Sequence, residues 1–204
     1  VNYSTESVAQ VTFMHILNLV GKAPYFDEAV KSGHYSVAGS FTDVTTPFYE
    51  IKGKRLGIIG LGNIGSRVAR IAEVFGMEIS YYPTSGKAHC NVYPAKELKQ
   101  LLAESDIITI HAPLNERTKG LITRKELEAM NPGGYIVNMG RGGIINEADL
   151  AEALDEGVIA GAAVDVFTTE PLPADHPYLT MKKRDKLLLT PHIGWASKEA
   201  RELL

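Results

Sequence analysis

From residue 54 onward the apolar positions keep two rhythms in turn: short unbroken runs, then stretches in which every third or fourth residue is apolar. The runs Leu56-Gly57-Ile58-Ile59, Glu78 to Tyr82, Ile107-Ile108-Thr109-Ile110, Tyr135 to Asn138, Ala162 to Val166 and Leu187 to Thr190 predict strands. Between them Ile64 to Phe75, Ala95 to Ala103, Arg124 to Met130 and Glu147 to Leu154 predict helices. Leu98, Leu101 and Leu102 share one face of the second, and Asn131-Pro132-Gly133-Gly134 stops the third. Such alternation with right-handed crossovers predicts an α/β fold, a doubly wound parallel sheet with helices on both faces. Ahead of it, Ser4 as N-cap, Glu6 in the first turn and Val8, Val11, Leu17 and Val20 predict a long helix over about residues 4–20. A shorter helical stretch near Phe26 to Lys31 runs into Gly33 and a loop rich in Ser, Thr and Pro up to Pro47. No internal repeat or low-complexity tract interrupts the chain.

Composition narrows the class. The 204 residues suit one domain, read here as residues 1–204, with ample material for a buried core. A net charge of −3 with 22% charged residues offers no basic field for nucleic acid or an anionic membrane, and neither is expected as a partner. The single cysteine, Cys90, forbids an internal disulfide and a multi-cysteine metal site, and no metal is expected. No stretch approaches the about 20 apolar residues of a membrane span. The start Val1-Asn2-Tyr3-Ser4 shows neither a signal peptide nor an initiator methionine, so the expectation is a cytoplasmic protein and an excised piece of it.

Two sets of residues carry chemistry. Gly60-Leu61-Gly62-Asn63-Ile64-Gly65 follows an apolar run and opens a helix with Ile64, Val68, Ile71 and Ala72 at helical spacing. That context makes it a dinucleotide site: Gly60 for the turn, Gly62 for close approach of backbone to a pyrophosphate, Gly65 for close packing of helix on strand. Downstream, Asn138-Met139-Gly140-Arg141-Gly142-Gly143, Asp165-Val166-Phe167-Thr168-Thr169-Glu170-Pro171 and Thr190-Pro191-His192-Ile193-Gly194 each supply one ionisable residue of a different kind. A guanidinium holds a carboxylate bidentately, an imidazole trades a proton near neutral pH, and a carboxylate orients and charges that imidazole. Arg141, at a strand end, is expected to be buried among glycines that keep the backbone open. Asp175 is a rival acid to Glu170.

Together these segments resemble the D-isomer-specific 2-hydroxyacid dehydrogenase family over essentially the whole chain. The resemblance implies a Rossmann-type fold and an NAD(P)-dependent oxidoreductase. Arg141 would bind the substrate carboxylate and polarise the 2-keto oxygen, His192 would give or take the proton, and Glu170 would favour the charged imidazole. It further implies cofactor contacts from Gly60, Gly62, Asn63, Ile64, Gly65, Tyr82, Pro83, Thr84, Met139, Gly140, Arg141, Asp165, His192 and Gly194. His111-Ala112-Pro113-Leu114 with Thr118 resembles the loop that passes the cofactor, so His111, Pro113 and Thr118 join them; His111 reads equally as a satisfied structural histidine. Pro83 stands where relatives usually carry an Asp for the adenosine ribose. NAD is the expected cofactor, with NADP left open because Thr84, Ser85 and Lys87 could bind a phosphate although this loop holds no arginine.

Trp195 with Ala196, Ser197 and Glu199-Ala200-Arg201 is similar to the glycerate dehydrogenase or hydroxypyruvate reductase branch; the indole either walls the substrate pocket or merely packs. A small 2-hydroxy or 2-keto acid is therefore the expected substrate, and a homodimer the implied assembly. The family's N-terminal substrate domain is expected to be absent from this chain, the opening helix being the interdomain element, which would leave the isolated piece poorly active. Dinucleotide-sensing corepressors on the same fold are the alternative, and formate- or phosphite-type dehydrogenases a remoter one.

Overall fold

A computed structural model describes residues 3–204. Its six strands are β1 Arg55–Ile59, β2 Glu78–Tyr82, β3 Ile107–Ile110, β4 Tyr135–Asn138, β5 Gly161–Val164 and β6 Leu187–Leu189. All neighbours are parallel, in the order β2-β1-β3-β4-β5-β6. The chain winds outward from β1 to β2, then returns to lay β3 against the other side of β1. That reversal opens a crevice at the carboxyl ends of β1 and β3, the place where ligands bind in open α/β sheets.

The helices are α1 Thr5–Gly21, α2 Ala23–Lys31, α3 His34–Val37, α4 Asn63–Val74, α5 Leu98–Glu104, α6 Arg124–Glu128, α7 Glu147–Glu156, α8 Pro177–Thr180 and α9 Lys198–Glu202. Alternate strand residues feed two cores, one on each sheet face. Leu56, Ile58, Ile107, Val137 and Ala163 pack with Val8, Ile16 and Val20 of α1 and Val68 and Ala72 of α4. On the other face Ile59, Ile108, Ile110, Ile136 and Val164 pack with Leu101 and Leu102 of α5, Leu127 of α6 and Leu150 and Leu154 of α7. The doubly wound architecture read from the alternation is therefore the one observed.

Boundaries differ where a hydrogen bond outside the local pattern intervenes. The helix expected from Ala95 begins at Leu98, because Ala95 is drawn into a parallel bridge with Tyr81 and the Lys96 N–H donates to the Tyr81 carbonyl at 2.8 Å. The strand expected to reach Val166 stops at Val164. Ser4 precedes α1 but its side chain makes no capping bond; its carbonyl accepts the Val8 N–H at 2.9 Å instead. Single-turn α3 lies in the segment read as loop, and α8 and the 3-10 turn Arg184–Lys186 were not visible as periodicity because each is too short to show one.

Both faces of β3 are fully buried, and they differ in one respect. Ile108 sits in an apolar core, whereas the Thr109 hydroxyl has no hydrogen-bond partner among the described residues. Replacing that hydroxyl by a methyl removes an uncompensated desolvation, so Thr109→Val is expected to stabilise the fold by about 1–2 kcal/mol. Ile108→Ala, which opens a cavity on the opposite face, is expected to destabilise by about 2–5 kcal/mol. Urea unfolding of both variants checks the pair.

Candidate active site

At the carboxyl end of β1 the three glycines of the loop do different things. Gly60 has φ +91°, the left-handed region that favours glycine, and turns the chain out of the strand. A Cβ on Gly65 would lie 2.3 Å from the Gly60 carbonyl oxygen, so only glycine lets α4 approach that closely. A Cβ on Gly62 would meet nothing within 4 Å, leaving open space at the amino end of α4. Gly62 is the helix N-cap and supplies no side-chain cap. Such an end suits a pyrophosphate. His89 closes one side: its Nε2–H can donate to the Leu61 carbonyl at 3.0 Å, while the Tyr81 hydroxyl accepts the His89 and Cys90 N–H groups at 3.1 Å each.

Beside this loop His111 ends the turn out of β3, and the expectation of a satisfied structural histidine is not met. Neither ring nitrogen has a partner among the described residues, and burial pulls the imidazole down to about 3. An orphaned donor and acceptor at the switch point fit a polar ligand there. Thr118, by contrast, commits its hydroxyl inside its own loop. It is fully buried, donates to the Pro113 carbonyl at 2.6 Å and accepts the Asn115 N–H at 2.9 Å, which shapes the 113–118 turn.

The downstream residues converge. A cavity of about 440 Å³ is lined by Ile64, Met139, Arg141, Asp165, Val166, His192, Gly194 and Trp195, with Tyr3 and Ser4 from just before α1 and Val8 from α1 itself. A larger groove of about 640 Å³ at the amino ends of β5 and β6 holds none of the expected site residues. His192 Nδ1 lies 2.7 Å from Glu170 Oε2. Because an ionised carboxylate only accepts, Nδ1 carries the hydrogen and Nε2 is left for proton exchange. Partial burial pushes Glu170 upward, but hydrogen bonds from His192 and from the Phe167 N–H, with the His192 and Arg141 charges, outweigh it and hold the carboxyl below its ordinary value. The rival Asp175 is exposed and makes no such contact. Trp195 lines this cavity.

Arg141 departs from expectation: it is exposed, not buried. Its Nη1 donates to the Gly140 carbonyl at 2.8 Å, and the other guanidinium donors have no hydrogen bond among the described residues. The neighbouring glycines serve closeness more than openness. A Cβ on Gly142 would fall 2.0 Å from the Phe167 carbonyl carbon, so the Arg141 segment lies directly against the Glu170 segment.

What holds the imidazole in place escaped the sequence. Asp165 is buried and accepts the Thr190 hydroxyl at 2.6 Å and the Ile193 N–H at 2.9 Å on Oδ1, and the Gly194 N–H at 2.8 Å on Oδ2. Since the Thr190 proton goes to Asp165, the Thr190 oxygen accepts from Nε2 of His15 on α1 at 3.0 Å, and burial keeps that histidine below its ordinary pKa. His192 itself takes a left-handed φ of 54°. A second pair, His176 Nε2 to Glu147 Oε2 at 3.0 Å, lies under the Glu170 segment, and Glu147 Oε1 also accepts the Thr168 N–H at 2.8 Å. No sequence signal marked His15, Glu147 or His176, or the bonds that Thr190 makes, since their partners come from distant segments.

The His111 shift carries a pH dependence. The unfolded imidazole takes a proton near 6.5 and the folded one only near 3. Its stabilising contribution is therefore complete above pH 6.5 and is lost as the pH falls from there toward 3. His111→Leu is expected to flatten the decline of Tm between about pH 7 and pH 4 relative to the parent chain, as thermal scans across that range would show.

The family model described as D-isomer specific 2-hydroxyacid dehydrogenase, NAD binding domain, matches residues 13–194. A glyoxylate reductase of Aeropyrum pernix is 39% identical over 97% of this chain and 59% of its own length. A hydroxypyruvate reductase of Blautia hydrogenotrophica is 35% identical over 99% of this chain and 62% of its own. Among solved structures, the TT0316 protein from Thermus thermophilus superposes with a TM-score of 0.88 at 31% identity, over 98% of this chain and 62% of that one. The D-lactate dehydrogenase from Aquifex aeolicus, complexed with NAD and lactic acid, does so at 0.86 and 30%, over 98% and 63%. The chain thus spans about 60% of the length of these relatives. It belongs to the D-isomer specific 2-hydroxyacid dehydrogenase family and carries that family's NAD-binding domain.

Proposed function

We propose that this chain is the nucleotide-binding half of a dehydrogenase that interconverts a small D-2-hydroxy acid and its 2-keto acid, with glycerate and hydroxypyruvate, or glyoxylate, favoured. The observation that carries the reading is the 2.7 Å contact of Glu170 with His192, which lines one cavity with Arg141. The bound nicotinamide cofactor supplies or accepts the hydride. Arg141 uses its remaining donors to hold the substrate carboxylate and polarise the keto oxygen. His192 Nε2 delivers the proton to that oxygen or removes it in the oxidative direction, and Glu170 compensates the imidazolium charge that results. Asp165 has about four acceptor positions and three are occupied, so one remains for the carboxamide of the nicotinamide.

A substrate domain outside these residues completes the site in this proposal, with α1 as the connecting element. The protein works in the cytoplasm as a homodimer; no helix among the described residues is long and apolar enough to cross a membrane. Supporting the dimer, segment 37–48 exposes Val37, Phe41, Val44 and Phe48, with Phe41 91% exposed, an apolar surface that a second copy would cover. The corepressor-like reading has no observation in its favour.

Steady-state assays on the longest natural chain containing these residues test the reading. Turnover of hydroxypyruvate or glyoxylate with reduced dinucleotide is expected, and His192→Asn should lower kcat by about 10²–10⁴-fold. No turnover on either acid, or an unchanged kcat in the variant, would sink it. Sedimentation of the parent protein should give a dimer and Phe41→Asp should shift it toward monomer.

A further inference from the structure

The adenosine half of a dinucleotide whose pyrophosphate rests on α4 lies outside the carboxyl end of β2. There the chain runs Tyr82-Pro83-Thr84-Ser85-Gly86-Lys87, without a carboxylate to take the ribose hydroxyls or to repel a phosphate. The segment is a tight turn: the Gly86 N–H donates to the Pro83 carbonyl at 2.9 Å, and the Ser85 hydroxyl donates to the Lys87 carbonyl at 3.1 Å. The Thr84 N–H and hydroxyl and the Ser85 N–H have no hydrogen bond among the described residues, so three donors remain for a ligand.

The guanidinium this loop lacks in sequence arrives from another one. Arg117, in the turn that follows β3, donates through Nη1 to the Ser85 carbonyl. That turn is held firmly: its Arg117 N–H donates to Asn115 Oδ1 at 2.9 Å, and the buried Thr118 hydroxyl closes it from inside. Arg55, Arg67 and Arg124 each pair with a carboxylate, but Arg117 has no acidic partner among the described residues. A hydrogen bond between an exposed guanidinium and an exposed carbonyl contributes little by itself, and it leaves the charge uncompensated. Four N–H donors of the fork stay available, in the planar geometry that matches a phosphate. Lys87 adds a second cation, and Glu116, the acid in the Arg117 turn, is exposed and makes no hydrogen bond to the 83–87 segment.

We propose that Arg117, with Thr84, Ser85 and Lys87, forms a site for the 2′-phosphate of a phosphorylated dinucleotide, so that NADPH binds this domain at least as tightly as NADH. The inference rests on the reading of Gly60 to Gly65 as the dinucleotide loop.

Calorimetric titration of the 204-residue chain with NADPH, NADH, adenosine 2′,5′-bisphosphate and 5′-AMP tests it. Fluorescence of Trp195, the single tryptophan, gives a second readout from the cavity wall. NADPH should match or exceed NADH, and the bisphosphate should exceed 5′-AMP. Arg117→Ala should weaken NADPH by about tenfold or more, the loss of a charge-assisted bond, while leaving NADH within about twofold. Arg117→Lys should fall between, keeping the charge without the fork, and added salt should weaken NADPH more than NADH. Binding of NADH about ten times tighter than NADPH would overturn the proposal, and so would an Arg117→Ala loss shared equally by both, which marks a brace for the loop and nothing more. If NADH binds and NADPH does not, this inference alone fails; if neither binds, the dinucleotide reading fails with it.

Discussion

A buried carboxylate organises this molecule's chemistry. Asp165 leaves the end of β5 and is met by one hydroxyl and two backbone N–H groups, all from residues 190–194. A carboxyl group that far from water needs hydrogen bonds in place of the water it has lost, and here it has three. They tie the ends of β5 and β6 into one unit, and that unit carries His192. The left-handed φ of 54° at His192 stores about 1–3 kcal/mol of backbone strain, which the Asp165 bonds on either side of the turn hold in place. A pivotal imidazole is thus aimed by its neighbours' backbone rather than by its own preference.

The same logic repeats one segment away. Glu170 accepts the Phe167 N–H at 2.8 Å and the His192 Nδ1–H at 2.7 Å, so it braces its own loop while it orients the imidazole. Beneath it the Glu147–His176 pair pins Thr168 from the start of α7. Gly142 permits the Arg141 loop to lie against this braced segment without an intervening side chain. Three loops from three strand ends therefore share supports, and a shift in one would be felt by the others.

Parallel topology supplies the stage. Every strand points the same way, so all carboxyl ends, with their loops, gather on one edge of the sheet. Reversal of strand order between β1 and β3 parts the loops there, and the uncapped start of α4 faces the gap. The amino end of α4 and the cations Lys87, Arg117 and Arg141 follow β1, β2, β3 and β4 at this edge, where positive charge favours an anionic dinucleotide and an anionic substrate.

Much of this was legible in the chain. Unbroken apolar runs alternating with helical periodicity, a glycine loop following β1 and three segments with Arg141, Glu170 and His192 are patterns among neighbours, and local rules read neighbours well. The tertiary structure alone decided what depends on residues far apart in sequence. Glu170, which the family resemblance already favoured over Asp175, meets the imidazole through a bond that spans 22 positions. His15 reaches Thr190 across 175 positions, and Arg117 reaches Ser85 across 32. Arg141 proved exposed, Thr118 internally bonded and His111 unsatisfied, since burial and pairing are set by what the fold brings alongside. Local order follows from the chemistry of adjacent residues; the site follows from which loops a parallel sheet delivers to one edge.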